Sequence, residues 1–181
     1  AELLGVIARL RIGLGDYREA LILLNRQAAI LTSLDDAPIS LQLESLTQRG
    51  QVLRLLGEPR QCINLMQPGL TMARREQAQL PPQASEFYSQ LGRCRRDNGE
   101  RQGARQLFER SLVLRRDDRD EVGVVENLIV LAHLQADAGQ TDAALQGYQN
   151  ARTQLRQKVG DRHTLQVEIG RSIAGLQRTR G

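Results

Sequence analysis

Cysteine, histidine and a large set of arginines carry most of the reactive chemistry in this sequence, and their spacing argues against catalysis. Cys62 and Cys94 are 32 residues apart, a separation that matches no metal or redox motif. Cys62 falls where two helices are expected to pack, which suits a buried structural thiol. Cys94 lies between Arg93 and Arg95. These would lower its pKa if it were partly exposed, although a plain surface or core role accounts for it too. This cysteine usage fits a reduced, cytoplasmic setting. His133 and His163 fall on different predicted helices, with no cysteine or carboxylate cluster at metal-ligand spacing. There is no GxSxG elbow and no glycine loop behind a strand to cradle phosphate. The expectation is a non-catalytic protein with no metal and no cofactor.

Arginine chemistry points instead to binding. The chain of 181 residues has 25 basic and 21 acidic side chains, a net charge of +4, and only one lysine, Lys158. Guanidinium forks prefer carboxylates and phosphates, so acidic partners are in view. Nucleic acid is disfavoured: aromatic content of 3% offers few stacking platforms, and acidic residues are interspersed among the arginines. No apolar run approaches the length of a membrane span, and the opening "AELLGVIARLRIGLG" is broken by Arg9 and Arg11. The chain begins at Ala1 without an initiator methionine and reads as a fragment of a larger protein.

The elements that position these residues repeat along the chain. Turn glycines stand at Gly15, Gly57, Gly99 and Gly139, at intervals of 42, 42 and 40 residues. A period in this range points to a helical array. With Ala1, Leu43, Ser85 and Val125 as first positions, the eighth reads Ala8, Gly50, Gly92, Ala132 and the twentieth Ala20, Cys62, Ala104, Ala144. The twenty-fourth reads Leu24, Met66, Phe108, Tyr148, and the fourth Leu4, Leu46, Tyr88, Leu128. Small residues recur where two helices would approach, and large ones recur on the same faces. The turn glycines end the first helices in left-handed backbone. Asp16 with Glu19 forms an expected capping box, and Pro59 suits a first turn. Helix pairs are predicted at 2–14 with 16–34, 39–56 with 58–78, 82–98 with 100–117 and 121–138 with 140–158. A ninth helix over 162–178 would cover the last pair, with Gly181 in step as a further turn glycine.

This pattern resembles the tetratricopeptide repeat in a lengthened 40- to 42-residue form, as in kinesin light chain-like proteins and bacterial multidomain regulators. Arg49 departs from it, standing where the repeat has an apolar residue. The resemblance implies an all-α, right-handed superhelix: a single array over 1–181, with repeats near 1–38, 39–80, 81–120 and 121–160 and a terminal helix at 162–178. It also implies a concave groove lined by the face of each first helix opposite the core. That face carries a glutamate ladder, Glu2, Glu44, Glu86, Glu126 and Glu168. It also carries Arg9, Gln48, Gln51, Gln90, Arg93 and His133, with Arg54, Arg96, Arg171 and Arg178 at its edge. Glutamine amides suit an extended peptide backbone, and arginine forks suit acidic side chains. The ladder also has a plainer reading as a wet face pairing with neighbouring arginines. The carboxylate clamp of chaperone-binding relatives is absent, because Gly5 and Arg9 replace its lysine and asparagine. The expected function is a cytoplasmic module that binds a protein or peptide segment with acidic residues, within a larger bacterial regulatory protein. The alternative is a structural or self-associating spacer, homo-oligomeric or coupling domains of its own chain.

Overall fold

The structure, a computed structural model, describes residues 1–160 and 163–178. The expected start of the last helix at 162 and the turn glycine Gly181 lie outside the described residues. Among the described residues all regular structure is helical. The helices are α1 (Glu2–Gly13), α2 (Tyr17–Thr32), α3 (Ile39–Leu55), α4 (Pro59–Met66), α5 (Leu70–Glu76) and α6 (Pro81–Asp97). They continue with α7 (Arg101–Asp117), α8 (Glu121–Asp137), α9 (Thr141–Lys158) and α10 (Leu165–Arg178). Two compact units are formed, Ala1–Leu107 and Phe108–Gly181.

Backbone chemistry ends the first helices as the repeat requires. Gly15, Gly57, Gly99 and Gly139 have φ of 83°, 80°, 85° and 74°. At the first, Gly15 N–H donates to Ile12 O at 3.1 Å and Asp16 N–H to Arg11 O at 2.9 Å. This doubly bonded exit needs a left-handed residue, which glycine adopts without a Cβ clash. The capping box at Asp16 does not form, and its side chain makes no cap bond. Its carboxylate instead takes the Arg11 guanidinium at 2.9 Å, so charge attraction across the turn wins over the cap.

In the first unit α1 packs on α2, and α3 packs on α2, α4 and α6. Ala8, Ala20 and Leu24 form one buried cluster with Val52. Gly50 lies against Cys62 and Met66 of α4, which would collide with any Cβ there. Gly50→Leu is therefore expected to overpack α3 against α4 and cost about 1 to 3 kcal/mol, read as a lowered urea midpoint. An unchanged midpoint would mean that the two helices are not in close contact at this glycine.

Two expectations for this unit are corrected. The single helix over 58–78 is broken into α4 and α5 by a tight turn at Gln67–Gly69. Pro68 has no N–H to give to the helix ladder and clashes with the preceding turn. Cys62 is not a free thiol and Cys94 is not partly exposed: both are fully buried and joined in a disulfide, with Cα atoms 6.1 Å apart. Packing α4 against α6 brings together two residues that the sequence keeps apart.

In the second unit α8 packs on α9, and α9 on α10. Ile169 of α10 enters the core with Val125, Ile129, Ala132, Ala144, Tyr148, Ala151 and Leu155. The terminal helix thus covers the α8–α9 pair as expected. Asp120 caps α8, accepting from Gly123 N–H at 2.9 Å. It also takes the buried Arg115 guanidinium at 2.7 Å, while Arg115 Nε lies 3.4 Å from Ser111 Oγ. Ser111 in turn accepts from Asn127 Nδ2 at 2.8 Å, so the charge buried at this turn is fully engaged.

Candidate peptide-binding face

The helical period places Glu44, Gln48, Gln51 and Arg54 along α3, and Glu86, Gln90, Arg93 and Arg96 along α6. Because α3 and α6 pack side by side, the two rows share one region of the first unit. Glu44 joins the row to α1: it pairs with Arg9 and accepts from Gln48 Nε2 at 2.9 Å. Arg93 lies 3.7 Å from Glu86 on the same helix. At the far end Arg54 reaches across to Asp97 at 3.5 Å, and Arg96 holds the same carboxylate through two nitrogens at 2.9 and 2.8 Å. Burial pulls the Arg54 guanidinium below the usual arginine value; Asp97 opposes this, while Arg93 and Arg96 add to it. Two guanidinium groups therefore share one carboxylate, and the third, Arg93, pairs with Glu86 while its charge reaches Arg54.

Not every expected groove residue is available to a ligand. Gln90 is only 1% exposed, and its amide points inward, donating to Cys94 Sγ at 3.6 Å. Gln48 is also buried, with its amide already spent on Glu44. Gln51 is half-buried, and Glu2 is exposed on α1. Arg93 and Arg96, expected to face solvent, are largely covered by the pairs they make, with about a quarter of each side chain exposed. Sequence reading passed over Asp97, the acid that organises the arginines. Its signal was present in the "RRD" that ends α6.

The second unit holds the remaining expected residues. Glu126 Oε2 lies 3.8 Å from Arg115, which turns it toward the α7–α8 connection. His133 of α8 meets Ser172 of α10, Nε2 to Oγ, at 3.3 Å, and its ring stands edge-on to Tyr148 at 5.3 Å. Arg171 is exposed on α10. Burial pushes the Tyr148 phenol up to about 12 from 10.0; its bond with Ser172 opposes the shift, and Asp137 and Glu168 add to it. A phenol that holds its proton more tightly when folded favours the fold only while protonated. Stability should therefore fall as pH rises from 10.0 toward about 12, by at most about 1.4 kcal/mol per unit. Tyr148→Phe is expected to flatten that decline in denaturant titrations at pH 9 to 11; an identical decline would place the ionisation elsewhere. Among the described residues no group of three metal-binding side chains converges.

Comparison with known proteins agrees with this architecture. The tetratricopeptide repeat family model matches residues 88–122. No curated protein matches the sequence significantly. BtubC (BKLC) from P. vanneervenii superposes with a TM-score of 0.84 at 14% identity, over 99% of this chain and 72% of that one. A Podosopora anserina kinesin light chain-type protein with nearly identical TPR-like repeats gives 0.76 at 18% identity, over 99% and 86%. The Rap conjugation gene regulator of plasmid pLS20, solved in complex with the Phr* peptide, gives 0.76 at 14% identity. This chain matches over 96% of its own length and 47% of that regulator. The fold is that of tetratricopeptide-like repeat proteins. No helix among the described residues is long and apolar enough to cross a membrane.

Proposed function

We propose that the chain is a non-catalytic protein-interaction module that takes an acidic peptide or helical segment on the face formed by α1, α3 and α6. The observation that carries this reading is the sharing of Asp97 by Arg54 and Arg96, with Arg93 close enough to Arg54 to act on its charge. With Glu86 beside Arg93, these five groups hold one more positive than negative charge, on two helices that present them together. An incoming carboxylate would compete for forks already oriented by Asp97, and the glutamate ladder would repel a uniformly acidic partner. The preferred segment therefore alternates acidic with neutral or basic residues. The Rap regulator, which shares the fold, was solved with a peptide, and that supports a peptide as the ligand class here. A single array within a larger bacterial regulatory protein remains part of this reading. The test is isothermal titration with acidic, alternating-charge and basic peptide pools. Preference for the basic pool would overturn it.

A second reading, self-association or docking to a neighbouring domain, is favoured by α1. Leu3, Val6 and Leu10 are exposed along it and Leu14 just past its end, Leu3 by 71% and Leu10 by 65%. An apolar row at this spacing suits a partner helix. If it mediates self-association, Leu3→Ser with Leu10→Ser should convert the chain to a monomer in sedimentation equilibrium. A wild-type chain that is already monomeric at tens of micromolar would count against this reading.

A further inference from the structure

The second repeat departs from the third at two matched positions, and the departure leaves a cleft. In the third repeat Phe87 and Leu91 are fully buried, and the Phe87 ring lies close over Gly69. The corresponding residues of the second repeat are Ser45 and Arg49. Where the third repeat has apolar volume, the second has a small hydroxyl and a cation. There a cleft of about 360 Å³ opens between α2, α3 and α5, lined by Leu31, Thr32, Leu46 and Met72 together with Ser45 and Arg49.

Two of its polar groups, Arg49 and Ser45, are not fully satisfied from within. Arg49 is half-buried and gives its Nε–H to Asn25 Oδ1 at 2.9 Å, but no carboxylate among the described residues pairs with its guanidinium. Burial alone pulls this group below the usual arginine value, with no acid to oppose it. Ser45 Oγ, one turn away, is buried without a hydrogen-bond partner. Helical serines usually return that hydrogen to the carbonyl four residues back. A half-buried cation without a counter-ion, beside an idle hydroxyl and an aliphatic floor, is complementary to an anion with an apolar body. The volume is at the lower end of small-ligand sites.

We propose that this cleft binds a carboxylate carried on a compact aliphatic body. The Arg49 guanidinium takes the carboxylate, Ser45 serves as a second donor, and Leu31, Leu46 and Met72 enclose the body. This site is separate from the arginine cluster on α3 and α6, so the two stand or fall independently.

The test titrates the full chain, followed by amide chemical shifts, with octanoate and N-acetyl-leucine beside their neutral counterparts octanamide and N-acetyl-leucinamide. Saturable shifts centred on Thr32, Ser45 and Arg49 are expected for the acids, with the amides at least about tenfold weaker. Tighter octanoate binding identifies a free aliphatic acid as the source of the group; tighter N-acetyl-leucine binding identifies a peptide C-terminus. Ser45→Phe with Arg49→Leu, which copies the third repeat, should fill the cleft and abolish both signals. Arg49→Gln keeps most of the volume, removes the charge, and should weaken the acids to the level of the amides. That single variant decides the matter if the double one does not fold. Equal binding of acids and amides, undiminished binding by Arg49→Gln, or no saturable shift with either acid would overturn the proposal.

Discussion

Capture of an acidic peptide is expected to disappear when Arg93→Glu and Arg96→Glu are combined, while helicity and melting change little. Arg54 and Arg96 share Asp97, and Arg93, whose charge reaches Arg54, stands beside Glu86. After the double change Arg54 is left among four carboxylates, so a local excess of one positive charge becomes an excess of three negative ones. Each desolvated, hydrogen-bonded pair lost with a ligand costs about 2 to 5 kcal/mol of affinity, far more than a rim contact. The same arginines contribute little to folding, because partly exposed ion pairs are worth about 0 to 1 kcal/mol. The measurement is titration of the best-binding peptide from the alternating-charge pool, with circular dichroism of both proteins as control. Retained affinity would move binding off this face and favour the α1 reading. A shared collapse of affinity and helicity would show instead that the arginines hold α3 to α6.

Reduction of the Cys62–Cys94 bond is expected to lower unfolding free energy by about 2 to 4 kcal/mol, the usual worth of a crosslink that shortens the unfolded chain. The bond spans 32 residues and ties α4 to α6. Both sulfurs are fully buried, so a reductant has access only when the unit opens, and the intact bond should persist under mild reductant. Urea unfolding with and without strong reductant measures the difference. Coincident midpoints, or two thiols titrating in protein unfolded without reductant, would refute it. A persistent crosslink also bears on the setting, since such bonds are kept chiefly in oxidising compartments.

Much of the helix pattern was legible because its causes are local. Pro68 was legible too: a proline inside a predicted helix is a break signal, and one helix was expected across it nonetheless. The groove was legible only as a row. Helical periodicity places Gln48 and Gln90 on the same side as Arg54 and Arg93, yet the two glutamines are buried while the arginines reach the edge. A period assigns direction around one helix. It does not say how closely the next helix covers that direction.

By itself the sequence determined the repeat length, the left-handed exits at Gly15, Gly57, Gly99 and Gly139, and the meeting of small with large side chains within a pair. Each depends on backbone sterics or on residues a few turns apart along the chain. Only the tertiary structure decided the crosslink between Cys62 and Cys94, the sharing of Asp97 by Arg54 and Arg96, and the cleft at Ser45 and Arg49. These depend on the distance and rotation at which α2, α3, α4, α5 and α6 stack. Many weak contacts summed over whole helices set those quantities, and no single stretch of residues encodes them.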